Sequence, residues 1–361
     1  MMKLLHCLNA PKIGGIERLV INLAVEQKSK GIDVVIMLDS IEGEYYNVIV
    51  ENEIDLIMSG VIGGFEFSFT KLNNLKKQFK RFDIIHFHHF SFIKSLAAMS
   101  SNTVYTIHGL SKGVRKENKI KYYFRETVKS FCLNKVDFFI ANSKYTLNLA
   151  KKHYGLQKVR SNVILNGINV KNSEKVNPSL NNKYFTVGLV ARFIYRKRID
   201  RLIIAFKYFI EMGGVGKLIL VGDGEIFNDI KALVDNEKLN KDVILTGYKT
   251  DVSEYYKGFD ICVFPSENEP FGLVGVEAYL NGKPVIAFKN SGGLMEIVEP
   301  LEPENIVEDE KHLANRLFFY FQNRGLISSQ AKERITYAMD NFSNQRMERE
   351  YFDVYKTILG L

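Results

Sequence analysis

At 361 residues, 46% hydrophobic and 25% charged, the chain has the make-up of an ordinary globular protein, and its length exceeds one core of roughly 150 residues. Its three cysteines, Cys7, Cys132 and Cys262, lie far apart with no CxxC pair, which excludes a disulfide framework or zinc ribbon and points to a reducing, cytoplasmic compartment. The net charge of +8 is uneven: residues 1–180 carry 26 Lys+Arg against 15 Asp+Glu and the remainder 23 against 26, so two domains with different partners are expected.

The opening MMKLLHCLNAPKIGG has one apolar run, too short for a signal peptide, before Pro11 and a glycine pair. No window approaches about 18 apolar residues, so no spanning helix is predicted. KLLHCL (3–8) reads as a strand. A helix follows from about Ile16 to Lys30, with Leu19, Val20, Leu23 and Ala24 at helical spacing, and Gly31 ends it before the strand DVVIML. That is a βαβ unit with a glycine-rich first turn. DIIHFH, TVYTIH and VDFFIANS read as further buried parallel strands, and SNVILNGIN closes this half.

Residues 171–183, KNSEKVNPSLNNK, are polar and Asn-rich and read as a linker. The alternation then restarts. FTVGLVAR, KLILVGDG, DVILTGY, DICVFPS and KPVIAF are strands; IDRLIIAFKYFIEM, FNDIKALVDNEK, VSEYYKGF and Leu273 to Leu280 are helices. Ser343 to Leu359 is an amphipathic helix carrying Tyr351, Phe352 and Tyr355. The fold class is therefore α/β, with two doubly wound parallel-sheet domains: 1–170, a linker at 171–183, 184–342, and a C-terminal helix at 343–361 expected to cross back to the first domain. Ligands of such sheets bind beyond the carboxyl ends of the strands, here in a cleft between the domains.

The residues after those strands are the ones to weigh. VARFIYRKRIDRL ends a strand with Arg192 and places Lys197 five residues on. Two cations at a helix start suit a diphosphate, and equally a solvated basic turn. In PSENEPFGLVGVEAYL, Glu269 precedes a Pro270-Phe271-Gly272 turn whose amides at Phe271, Gly272 and Leu273 open a helix and form an anion site. A carboxylate can accept two hydroxyl hydrogen bonds at once, so Glu269 can read a sugar and Glu277, a turn into the helix, a ribose. The plain alternative is a glutamate favouring a helix N-terminus.

Glu269 and Glu277 in this setting resemble the Glu-x7-Glu motif of retaining glycosyltransferases of family 4, which have the GT-B fold: two Rossmann-like domains facing a central cleft. PKIGGIERLVINLA, DIIHFHHF with YTIHG, VILNGIN, VARFIYRK and GGLMEIV resemble the family's other motifs in order, from about residue 9 to 355. The resemblance implies that Arg192 and Lys197 bind a donor diphosphate, Glu269 the donor sugar and Glu277 the ribose. It implies that the amides of Phe271, Gly272 and Leu273 support sugar and phosphate, that Gly14 and Gly15 let the backbone approach the donor, and that His108 sits beside the donor sugar. The first domain would bind the acceptor and the second the nucleotide-sugar. No cofactor or metal is implied, only a UDP- or GDP-sugar as co-substrate, because Arg, Lys and a helix end neutralise the leaving group. Two departures stand out. EPLEPENIVEDEKHLA lacks the family's glycine turn, and the usual Lys-Gly is Lys197-Arg198.

His86 and His88 share a strand face beside His89, but no further carboxylate or cysteine is spaced to complete a metal site; they are expected to line the strand end at the acceptor cleft. Two basic stretches, 71–82 and 112–131, carry five and seven cations with interleaved aromatics. They fit an anionic membrane surface, or helix faces that pack their aromatics inward. Nucleic acid is not expected, since no recognition motif is present. The expected activity is transfer of a sugar to a saccharide or lipid-linked saccharide in bacterial surface-polysaccharide assembly (capsule, exopolysaccharide or lipopolysaccharide), at the inner face of the cytoplasmic membrane. Another GT-B activity, inverting or phosphorolytic, and a binding protein without turnover are the alternatives.

Overall fold

A computed structural model of the chain describes residues 2–12, 14–110, 118–170 and 184–361. It divides into two compact units, one of Met1–Asn169 with Asn344–Leu361 and one of Val170–Ser343.

The first unit is built on a seven-stranded parallel sheet. Its strands are β1 (Lys3–Cys7), β2 (Asp33–Leu38), β3 (Asp55–Met58), β4 (Ile84–Phe87), β5 (Thr103–Ile107), β6 (Phe138–Ala141) and β7 (Ser161–Val163), in the order β3-β2-β1-β4-β5-β6-β7. β1, β4 and β5 are central and, Lys3 apart, buried on both faces, largely by apolar residues but with His6, His86 and Thr106 among them. The helix Gly15–Ser29 buries Leu19, Val20, Leu23, Ala24 and Gln27, and Gly31 leaves it at φ +80, a conformation glycine adopts without strain. β3 was not anticipated. It is a half-exposed edge strand, and EIDLIM lacks a sustained apolar run.

Residues 71–79 of the stretch 71–82 lie on the helix Phe69–Phe79, capped by the Ser68 side chain. Leu75 and Phe79 are buried and Leu72 and Phe82 pack against the same core, so this stretch turns its apolar side inward. The helix Asn344–Leu359 is part of this unit. Met347, Tyr351, Val354 and Tyr355 recur at helical spacing and join the core that includes Leu19, Val20 and Leu23 of the first helix. Lys30 forms an ion pair with the buried Glu348 of that helix.

The second unit holds a six-stranded parallel sheet of β8 (Phe185–Val190), β9 (Gly216–Val221), β10 (Val243–Leu245), β11 (Ile261–Phe264), β12 (Val285–Phe288) and β13 (Ile306–Val307), in the order β10-β9-β8-β11-β12-β13. Ile199, Leu202, Ile203, Phe206 and Phe209 of the helix Ile199–Glu211 cover one face. The segment without the family's glycine turn still forms β13, paired with β12 through Ala287↔Ile306 and Phe288↔Val307, and Asp309 caps the next helix. Behind it, Arg334, 1% exposed, donates to Glu302 at 2.7 Å, and Glu302 also accepts from Tyr279 and the Val285 amide. That buried charge is fully hydrogen-bonded, the condition for tolerating it.

The three cysteines are unpaired and buried. Among the described residues no helix is long and apolar enough to cross a membrane.

Candidate active site

β8 ends at Val190, and Arg192 stands exposed two residues beyond it. A single 3₁₀ turn, Tyr195–Lys197, leads into the helix Ile199–Glu211 through Arg198 at φ +48. That left-handed conformation explains why a glycine is usual in the resembled family. In this chain an arginine bears a strain of about 1–2 kcal/mol, and it is held by ion pairs to Asp200 at 2.9 Å and Glu267 at 2.5 Å. Two glycines that the sequence reading passed over support this wall. Gly222 (φ +142) and Gly224 (φ +154), in the GDG after β9, lie so close to Ala191 and Phe193 that a Cβ on Gly224 would stand 2.3 Å from the Phe193 carbonyl. A G-x-G directly after a strand was the available signal.

The loop after β11 is tied to this turn. The Glu267 amide donates to the Arg196 carbonyl at 2.9 Å. Lys197 Nζ donates to Glu269 Oε2 at 2.8 Å, and Arg196 Nη1 reaches the same oxygen at 3.2 Å. Glu269 is also pinned along its backbone: its amide donates to Ser291 O at 3.1 Å, and its carbonyl accepts from Gly293 at 2.7 Å. The SGGLMEIV segment thus fixes the first glutamate of the motif. Burial works to raise the Glu269 carboxyl. The charges of Lys197 and Arg196, with hydrogen bonds from Lys197 and Ser266, outweigh it and hold the group below its ordinary value of 4.5. Glu269 is therefore ionised at neutral pH, the form that accepts hydroxyls. Arg196 is a participant the sequence reading did not name.

Phe271 buries its ring against Phe342, centroids 6.0 Å apart, and so anchors the turn. Gly272 follows at φ +102 as the N-cap of the helix Leu273–Leu280, with no side-chain cap on the first-turn amides. Glu277, half-buried on that helix, accepts from the Tyr256 hydroxyl at 3.1 Å. Tyr256, from the helix Ser253–Gly258, is a second unanticipated partner.

Gly272→Ala is expected to destabilise the second unit by about 1–3 kcal/mol. Its φ is unfavourable for alanine, and the added carbon meets Leu294 Cδ1 at 2.9 Å. Gly15→Ala, with no atom within 4 Å of the added carbon, is expected to leave the urea midpoint no lower. Equal midpoints for both variants would contradict the assigned turn.

In the first unit, Gly14 caps the helix Gly15–Ser29 in an extended conformation and supplies no side-chain cap. A Cβ on Gly14 would meet only the movable tip of Glu17, so the fold itself asks for neither glycine. Glu17 pairs with His89 at 3.5 Å. His86 and His88 do not line an open strand end, as the sequence reading expected. His86 is fully buried and His88 is 3% exposed. The parallel register sets His6 of β1 beside His86 of β4, and His88 continues the same face. His6, His86 and His88 place a ligand atom each within 4.8 Å of one another, the third member that sequence reasoning missed because it lies on another strand. Every ring nitrogen of the three has a hydrogen-bond partner: Gln27 and His88 for His6, Tyr355 and Thr106 for His86, His6 and His108 for His88. His108, just after β5, is half-buried and meets His88 at 3.2 Å. Burial pushes His6 down to about 4 and His108 to about 3, and holds His88 well below the ordinary range, so all are neutral.

Two Rossmann-like parallel-sheet units, the second carrying paired cations, a pinned glutamate and an uncapped helix at its strand ends, define the GT-B class of protein. Residues 13–172 match the family Glycosyltransferase Family 4, and residues 170–338 match Glycosyl transferases group 1. An uncharacterized glycosyltransferase, MJ1178 of Methanocaldococcus jannaschii, is 30% identical over 80% of this chain and 78% of its own. The capsular polysaccharide biosynthesis glycosyltransferase CapM of Staphylococcus aureus is 28% identical over 71% and 70%. The crystal structure of Anabaena Alr3699/HepE in complex with UDP and glucose superposes with a TM-score of 0.73 at 20% identity, covering 99% of this chain and all of that one. The chain belongs to the family 4 glycosyltransferases of GT-B fold.

Proposed function

We propose that this glycosyltransferase moves a sugar from a nucleotide-sugar, a UDP- or GDP-sugar, to a hydroxyl of a lipid-linked saccharide, with retention of configuration, in bacterial surface-polysaccharide assembly. The observation that carries the donor half is the convergence of Arg196 and Lys197 on Glu269, just ahead of the uncapped helix that bears Glu277. Arg192 and Lys197 neutralise the diphosphate as it leaves, and the open amides at Phe271 to Leu273 add to that charge stabilisation without a metal. Glu269 holds sugar hydroxyls, and Glu277, steadied by Tyr256, holds the ribose. By the family resemblance alone, His108, Gly14 and Gly15 of the first unit are given donor roles as well. The acceptor hydroxyl attacks from the face the diphosphate leaves. The name of CapM and the UDP and glucose of the HepE complex agree with this substrate class.

A thermal-shift and hydrolysis screen against UDP-, GDP-, ADP- and TDP-sugars without metal tests the donor half. One nucleotide is expected to raise Tm, and Glu277→Ala to lose most of that shift while keeping its own fold. No shift with any nucleotide-sugar would refute the reading.

The acceptor half is supported by the helix Lys119–Leu133. Residues 112–117 of that basic stretch lie outside the described residues. On the rest, Ile120, Tyr123, Phe124 and Phe131 are 79, 68, 67 and 54% exposed, beside exposed Lys119 and Lys121. These aromatics point outward, the opposite of the stretch 71–82. Arg125 stacks over Phe65 at 4.6 Å, so the loop carrying the exposed Ile62 and Phe67, which leads into the helix that opens at the exposed Phe69, adjoins this helix. Apolar knobs among cations are the physical requirement for docking on an anionic leaflet. The protein is expected to co-sediment with phosphatidylglycerol vesicles, less so as salt rises. Tyr123→Ser with Phe124→Ser should weaken binding by about tenfold or more, given roughly 1.5–3 kcal/mol for burying a large apolar side chain. Equal binding to neutral vesicles, or none, would remove the membrane from the proposal.

A further inference from the structure

We propose that the buried chain Gln27–His6–His88 is a positioning relay that fixes His108 as one neutral tautomer, protonated on Nε2 and presenting Nδ1 as an acceptor to a donor-sugar hydroxyl; this rests on the reading of His108 as a donor-sugar residue.

The direction follows from counting protons. Gln27 Oε1 lies 2.8 Å from His6 Nε2 and can only accept, so His6 carries its proton on Nε2. A neutral His6 then has a bare Nδ1, and His88 Nε2, 2.9 Å away, must donate to it. His88 is left with a bare Nδ1, which accepts from His108 Nε2 at 3.2 Å. The proton of His108 is thereby committed to Nε2, and Nδ1 keeps its lone pair. Neutrality is required at each step: burial enforces it for His6 and His88, and desolvation together with neighbouring His89 does so for the half-buried His108. The Gln27 amide thus sets the polarity of the whole line.

His86 is not in this line. It stacks close to His88, ring centroids 4.1 Å apart, but its nitrogens are taken by Tyr355 at 2.7 Å and Thr106 at 2.7 Å. A metal at His6, His86 and His88 would have to break the relay, because it would need lone pairs that now accept or nitrogens that now donate. The relay and the metal site therefore exclude each other.

The decisive experiment is a long-range ¹H–¹⁵N correlation on the full chain labelled at histidine nitrogens, at pH 6 to 8, without donor. The expected spectrum shows His108 with a protonated Nε2 and an unprotonated Nδ1 throughout. Protonation on Nδ1, or an averaged pair of shifts, overturns the relay, and needs no variant to be seen. One equivalent of zinc retained through dialysis, with loss of the His6 and His88 proton pattern, overturns it in favour of a metal site. Two variants then separate positioning from packing. His88→Phe keeps the ring volume but offers no acceptor; His108 should become a tautomer mixture and kcat/KM fall about tenfold, the worth of roughly one hydrogen bond. His88→Asn places an oxygen where Nδ1 stood and should recover the single tautomer and most of the rate. Equal loss in both, with equal Tm, would make the chain a packing feature only. The nucleotide-sugar thermal shift of the wild-type chain reports separately on the donor reading, so its failure is distinct from failure of the relay.

Discussion

Glu269→Ala is expected to lower kcat/KM by about 10²–10³-fold, the range for losing one preorganised group at a reacting centre. Two losses combine. The carboxylate that accepts sugar hydroxyls disappears, and Lys197 and Arg196 lose the oxygen they share. Glu269→Gln keeps the shape and one acceptor oxygen, so it should fall between wild type and alanine. Because its neighbours hold Glu269 below the ordinary glutamate range, the wild-type rate should lose its acid limb at a lower pH than an unperturbed glutamate would give. The sign for stability is the same. A depressed carboxyl adds stability above its unfolded pKa and loses it as pH falls through the folded one, so acid unfolding of wild type and Glu269→Gln should converge there. Steady-state release of nucleotide measures the kinetic part. An unchanged kcat/KM in Glu269→Ala would remove this residue from the site.

Lys197→Ala should cost a similar 10²–10³-fold, mainly in kcat if the charge acts on the departing diphosphate. Arg196→Ala should cost much less. Both side chains reach the same oxygen, but that of Lys197 is 13% exposed and that of Arg196 41%, so solvent screens the second pair far more. The double variant Lys197→Ala with Glu269→Ala should be no worse than about the poorer single one, because paired groups that act as a unit are not additive. Full additivity would show that the ion pair has no part in the reaction.

The central strands were legible because buried parallel strands are continuous apolar runs between turns, and KLLHCL, TVYTIH and DICVFPS are such runs. The long helices were legible from the spacing of residues such as Leu19, Leu23, Leu202 and Phe206. β3 and β13 were not, because they are edge strands of four and two residues whose place is set by the neighbour they pair with. The helices between residues 310 and 342 were passed over with them. On the site, the motif residues were readable as types at a spacing. Arg196 and Tyr256 were not, since nothing in the sequence shows that a 3₁₀ turn swings Arg196 toward Glu269 or that a separate helix brings Tyr256 to Glu277.

By itself the sequence determined the α/β alternation and the chemical types at the strand ends, because periodicity and spacing are local properties, and its ordered motifs carried the resemblance to the family. The tertiary structure decided the rest. It made His6 a neighbour of His86, 80 residues away, through parallel register. It turned the aromatics of 71–82 inward and those of 119–131 outward, a choice that depends on what covers each helix face. It set which cation holds Glu269 and buried His88 beneath His108, since hydrogen bonds and burial belong to the packed chain and not to any stretch of it.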